Sequence, residues 1–304
     1  MKTSLSLLAL TLAVAGCGNV PLPAEISNMN VKGFNVGTAV TNANKVGKAV
    51  EGQRDLTEPE EIALGEGVAS NLLGAAPLLQ DKKLQRYVQQ VGLALAAHGE
   101  RPNLPWHFAV LDDNEFNAFA TPGGYIFITR GLLLSLRNEA ELAGVLGHEI
   151  AHVLKKHHLN AMKVAAAKSS AAELGSYLME KNPQLTKGGK LTPALNALAN
   201  VGTAMYARGL DKGDEFEADR MGVVIAARAG YDPYGLPAVL QSLQTVNPNF
   251  AGLALMFKTH PSFQSRLDLL AQVMDKPFEP FENQPNLAAR FKTQVQVPGA
   301  KSGK

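Results

Sequence analysis

The sequence predicts a mostly helical α+β domain carrying a small β-sheet. Two observations carry that expectation. Six segments between residues 138 and 275 repeat apolar residues with a helical period, at 138–158, 160–180, 192–209, 214–229, 233–245 and 262–275. Only two runs, 106–112 and 125–129, alternate and are rich in β-formers. A chain of 304 residues, 46% hydrophobic and 18% charged, can bury a full core in one or two domains. No internal repeat argues for an attached solenoid.

Taken from the N-terminus, "MKTSLSLLALTLAVAGC" has the layout of a secretory signal: basic Lys2, an apolar run from Leu5 to Val14, then small residues. The run is too short to span a membrane comfortably, and no later stretch approaches about 18 uninterrupted apolar residues. Cys17 is the only cysteine, so no internal disulfide can form. Its setting after Val14-Ala15-Gly16 resembles the lipobox of bacterial lipoproteins, in which cleavage leaves the cysteine as a lipid-modified N-terminus. By that resemblance Gly18, where an Asp would signal inner-membrane retention, points to the outer membrane. The expected organisation is a removed signal at 1–16, a lipid-anchored tether at 17–56, a folded body at 57–280 and a loose tail at 281–304. Within the tether, Val36, Val40, Ala43, Val46 and Val50 hint at a helix. Without Lys2 the net charge is +1 (28 basic minus 27 acidic), which leaves no electrostatic case for nucleic acid.

The body opens at "TEPEE", where Thr57 can cap, Pro59 suits a first turn and Glu60 completes a capping box. A second helix in 81–99 sets Leu84, Tyr87, Val88, Val91 and Leu95 on one face, and Gly99 ends it. Between the two β-runs, Pro122-Gly123-Gly124 marks a turn. The polar loop "KNPQLTKGGK" (181–190) separates two helices and suggests a lid.

The chemistry centres on "ELAGVLGHEIAHVLKKHH". Leu142, Val145, Leu146, Ile150 and Val153 mark a buried stripe. His148 and His152, four apart, share a helix face and can grip one zinc ion, with Glu149 beside them to take a proton from the attacking water. In "DEFEADR" (214–220), Glu215 and Asp219 are also four apart. One of them can bind metal while the other supports a ligand histidine. A solvated acidic helix face is the alternative. His157 and His158, among lysines, read as exposed, and His98 and His107 as structural.

These motifs resemble the gluzincin metallopeptidase family of HtpX and the CAAX prenyl proteases, and within it the BepA-like periplasmic lipoprotein branch. The likeness runs from about Thr57 to Leu270 through "YVQQVG", "NAFATPGGYIFITRGLL", HEIAH, "EFEADRMG", "AGYDP" and "THPSFQSRL". It implies one zinc ion (Zn2+) per chain on His148, His152 and Glu215, with Glu149 as general base and acid and Asp219 holding a ligand histidine. It also implies that His260 approaches the metal's open position or helps the oxyanion. Gly124, Tyr125, Ile126, Phe127, Ile128 and Thr129 would form a sheet edge along which a polypeptide substrate lies. The implied activity is cleavage of unfolded or misassembled envelope proteins in the periplasm. The rival is an assembly factor or chaperone for outer-membrane proteins, with a latched or vestigial site. Partners would be polypeptides, the membrane through the lipid on Cys17, and the outer-membrane assembly machinery. Two features depart from the family: Arg208 stands seven residues before Glu215 rather than three, and no tetratricopeptide domain follows.

Overall fold

The computed structural model describes residues 30–31, 34–35, 55–168, 209–246 and 260–295. The signal, Cys17, the tether helix, the 181–190 loop, the helix expected at 192–209 up to residue 208, Arg208 itself and the last residues of the tail lie outside them. The chain divides into two units, Met1–Thr38 and Ala39–Lys304. In the first, β1 (Asn30–Val31) pairs antiparallel with β2 (Phe34–Asn35).

The second unit begins with α1 (Glu58–Ala75), where the Glu60 carboxylate accepts from the Thr57 N–H at 2.9 Å. Asp81 then caps α2 (Lys82–Ala96), accepting from the N–H groups of Lys83 and Leu84. The α2 face predicted from periodicity is the buried one. Three strands follow: β3 (His107–Leu111), β4 (Ala118–Thr121) and β5 (Tyr125–Thr129), in the spatial order β3-β5-β4. The turn at Pro122–Gly124 joins β4 to β5 as an antiparallel hairpin, and β3 pairs with β5 in parallel. Gly123 and Gly124 have φ of 76° and 101°, a region that suits glycine, and a Cβ on Gly123 would also strike the Ile62 backbone.

This topology corrects the expected substrate edge. Residues 125–129 are the central strand, hydrogen-bonded on both sides, and β4 lies at the edge instead. The opposite edge is covered by side chains of α2. Gln89 and Gln85 accept from the N–H groups of Phe108 and Val110 at 2.7 and 2.8 Å.

Helix α3 (Arg130–Ser135) leads to α4 (Glu139–Leu154), every residue of which is buried. An all-round buried helix belongs in the middle of a domain. Helix α4 packs against α2, β4, α6 (Lys212–Arg228) and α7 (Gly235–Gln244). Helix α5 (His157–Lys168) follows it, so the helix expected to run unbroken over 138–158 is two helices. Lys156 breaks it with a φ of 58°. Helix α8 (Phe263–Met274) rests on α6 and α7. No helix among the described residues is long and apolar enough to cross a membrane.

In the tail expected to be loose from residue 281, the described residues run to Val295 and include α9 (Ala288–Gln294). Glu139, wholly buried at the start of α4, accepts from the Tyr87 and Tyr231 hydroxyls, each at 2.9 Å, and from Arg290 Nε at 2.6 Å. A buried carboxylate needs such partners. Phe291 fills the core beside Tyr87.

Helices α4 and α6 touch at their backbones. A Cβ on Gly147 would lie 2.8 Å from the Gly222 carbonyl oxygen, and one on Gly222 would lie 2.8 Å from the His148 nitrogen. Gly222→Ala should therefore push the helices apart, destabilising the protein by about 1–3 kcal/mol despite alanine's better helix propensity. Thermal unfolding checks this: a melting temperature several degrees lower is expected, and an unchanged one would show that the close crossing is not required.

Candidate metal centre

The crossing at Gly147 and Gly222 sets the next turn of each helix face to face. His148, Glu149 and His152 of α4 meet Glu215 and Asp219 of α6, and all five are buried. Nε2 of His148 lies 3.0 Å from Nε2 of His152. The Glu215 carboxylate stands 3.7 Å from the first of these nitrogens and 3.6 Å from the second. One donor atom from each of the three residues falls within 4.8 Å of the others, a cluster able to hold a metal ion. Oε2 of Glu215 is buried without a hydrogen-bond partner among the described residues. An orphaned carboxylate oxygen beside two imidazole nitrogens is costly unless a cation joins them. The donor set therefore fits zinc.

Asp219 lies behind His148, its Oδ1 2.9 Å from Nδ1 of that ring. It also receives Arg266 of α8 in a fork, from Nε at 2.8 Å and from a terminal nitrogen at 2.5 Å. Burial opposes the Asp219 charge, but Arg266 and then His148 hold its pKa below the usual carboxylate range. With Asp219 ionised, His148 donates Nδ1–H to it and turns the bare Nε2 towards Glu215. His260, just before α8, brings Nε2 to 3.6 Å from the Glu215 carboxylate. The cleft above the cluster is lined by Asn117, Ala118 and Phe119 at the sheet edge, together with Glu149, His158 and His260.

Two residues read differently from the sequence. His157 is buried at 3% exposure and His158 is half-buried, where both were expected in solvent. The break at Lys156 is the reason, because it turns His157 back beneath His152, with Nδ1 to Nδ1 at 2.9 Å. Arg266 was not singled out from the sequence at all. Its only signal is its place in "THPSFQSRL", six residues after His260, and its partner is 47 positions away. Glu217, two residues after Glu215, faces Nε2 of His157 at 3.3 Å.

Burial pushes the carboxyls of Glu149 and Glu215 up to about 8; the Glu215 charge adds to the shift on Glu149, and Arg266 restrains that of Glu215. Burial also lowers the pKa of His148 and His152. Without metal, the folded chain keeps these carboxyl protons well above the pH at which the unfolded chain sheds them. Each carboxyl therefore removes about 1.4 kcal/mol of stability per pH unit as pH rises towards 8. The buried histidines act oppositely, but only up to the ordinary histidine pKa of about 6.5. From pH 6.5 to 8 the carboxyls act alone. The melting temperature of the metal-free protein should fall across that window and recover when zinc is added. A flat or rising profile would contradict this account.

The chain matches Peptidase family M48 over residues 82–273. That span holds HEIAH, the Glu215–Asp219 pair and Arg266. The beta-barrel assembly-enhancing protease of Yersinia pestis is 34% identical over 216 residues, covering 70% of this chain and 43% of that protein. Its namesake in Escherichia coli K12 is 31% identical over 211 residues, covering 68% and 42%. A protease HtpX homolog of Burkholderia mallei is 28% identical over 271 residues, 76% of this chain and 90% of that protein. The chain thus spans well under half the length of the two assembly-enhancing proteases. With a family match over most of the folded body and the paired motifs inside it, the chain belongs to peptidase family M48.

Proposed function

We propose that this chain is a zinc-dependent endopeptidase of the bacterial cell envelope, with one zinc ion held by His148, His152 and Glu215. The observation that carries the reading is the buried, unpartnered Glu215 oxygen beside two imidazole nitrogens. Zinc bound there would supply a Lewis acid towards water and the peptide carbonyl. Glu149 takes a proton from the attacking water and returns it to the leaving amine. Asp219, braced by Arg266, keeps His148 in the tautomer that ligation needs. His260 donates to the oxygen that gains charge in the transition state.

The substrate is an unfolded or misassembled polypeptide, extended through the cleft beside β4 rather than along β5. The protein sits in the periplasm, lipidated at Cys17 and anchored to the outer membrane. The lipobox-like sequence and the names of the bacterial relatives support that location. The same names support work alongside the outer-membrane assembly machinery. A second reading, an assembly factor with a latched site, draws on the approach of His260 to Glu215.

Glu149→Gln separates the two readings. The variant should bind one zinc per chain yet cleave a partly unfolded casein about a hundred-fold more slowly or worse. Cleavage at the wild-type rate would remove Glu149 from the mechanism. For the anchor, Cys17→Ser should move the protein out of the outer-membrane fraction, and an unchanged distribution would exclude lipidation at Cys17.

A further inference from the structure

Both ring nitrogens of buried His157 face polar partners. Nδ1 lies 2.9 Å from Nδ1 of His152, and Nε2 lies 3.3 Å from Glu217 Oε2 and 3.7 Å from Asp214 Oδ1. A bond between two imidazole nitrogens needs one that carries a proton and one that is bare. Nε2 of His152 faces the Glu215 carboxylate and Nε2 of His148, so its lone pair is the one available to a metal. The His152 proton then belongs on Nδ1. His157 accepts it at a bare Nδ1 and carries its own proton on Nε2, aimed at the carboxylate of Glu217.

We propose that His157 is a positioning residue of the metal centre. It fixes the tautomer and ring direction of His152 by accepting Nδ1–H, and is itself oriented by donating Nε2–H to Glu217. The two ligand histidines are thus held by different chemistry, His148 by the Asp219 carboxylate and His152 by a neutral imidazole. The chain break at Lys156 makes the second arrangement available, because an unbroken helix would carry residue 157 round to another face. This inference rests on the reading that His148, His152 and Glu215 bind the metal.

Nitrogen–proton correlation spectra of the zinc-loaded protein, with 15N-labelled histidine, test the tautomers directly. His157 should be protonated at Nε2 and bare at Nδ1, with His152 the reverse. Competition with a chromogenic chelator then measures zinc affinity. His157→Leu should weaken it about ten- to a hundred-fold. His157→Asn, which can offer an amide oxygen near the place of Nδ1, should stay within a few-fold of wild type. A proton on Nδ1 of His157 overturns the proposal. So does a leucine variant that binds zinc like wild type, or an asparagine variant as weak as the leucine one. Glu215→Ala is the separate control: if it binds zinc like wild type while the tautomers stand as stated, the metal assignment fails instead.

Discussion

The site depends on the backbone contact between α4 and α6. Neither Gly147 nor Gly222 can take a side chain without forcing the helices apart. At that distance, side chains on the facing sides of the two helices within two turns of the crossing must meet, which brings His148 and His152 against Glu215 and Asp219. The i, i+4 spacing in each helix supplies two donors on one face, and the crossing turns two pairs into a cluster. Side chains at the crossing would separate the pairs and leave two unremarkable helices.

That geometry gathers ionisable groups out of water, where each needs a partner. Arg266 answers Asp219 with a two-pronged ion pair, and the pair holds His148 from behind. Among the described residues Glu149 and Glu215 have no such cation of their own, and burial raises both their pKa values. The cluster is short of positive charge at the point where its nitrogen lone pairs converge. A divalent cation satisfies the carboxylates and the imidazoles together, so the protein's electrostatics and the proposed chemistry make the same demand.

Much of this was legible in the sequence, because helical period is a local property. HEIAH and the pair Glu215 and Asp219 need only a helix to put their side chains on one face, and both helices form. What could not be read depends on neighbours distant in the chain. The edge role of β5 came from the family resemblance, and β4, four residues long, lies within what reads as a turn-bearing connection, so its pairing has no local signal. His157 was placed in solvent because nothing in "VLKKHH" announces a left-handed Lys156. Nothing local in the sequence marks Arg266 or Arg290, since their buried partners, Asp219 and Glu139, are 47 and 151 residues away. Phe291 and Val295 belong to the core but lie in a tail whose polar average composition conceals them.

The fold is thus an M48 peptidase body in which two glycine-tight helices present a three-residue donor set, with its outer supports drawn from α8 and from the start of α5. The most direct measurement is zinc X-ray absorption on the purified protein loaded with one equivalent. The account predicts a low-coordinate site with two imidazole nitrogens and a carboxylate oxygen at about 2.0–2.2 Å, and loss of the carboxylate in Glu215→Ala. A spectrum showing fewer than two imidazoles, or one unchanged by that substitution, would contradict it.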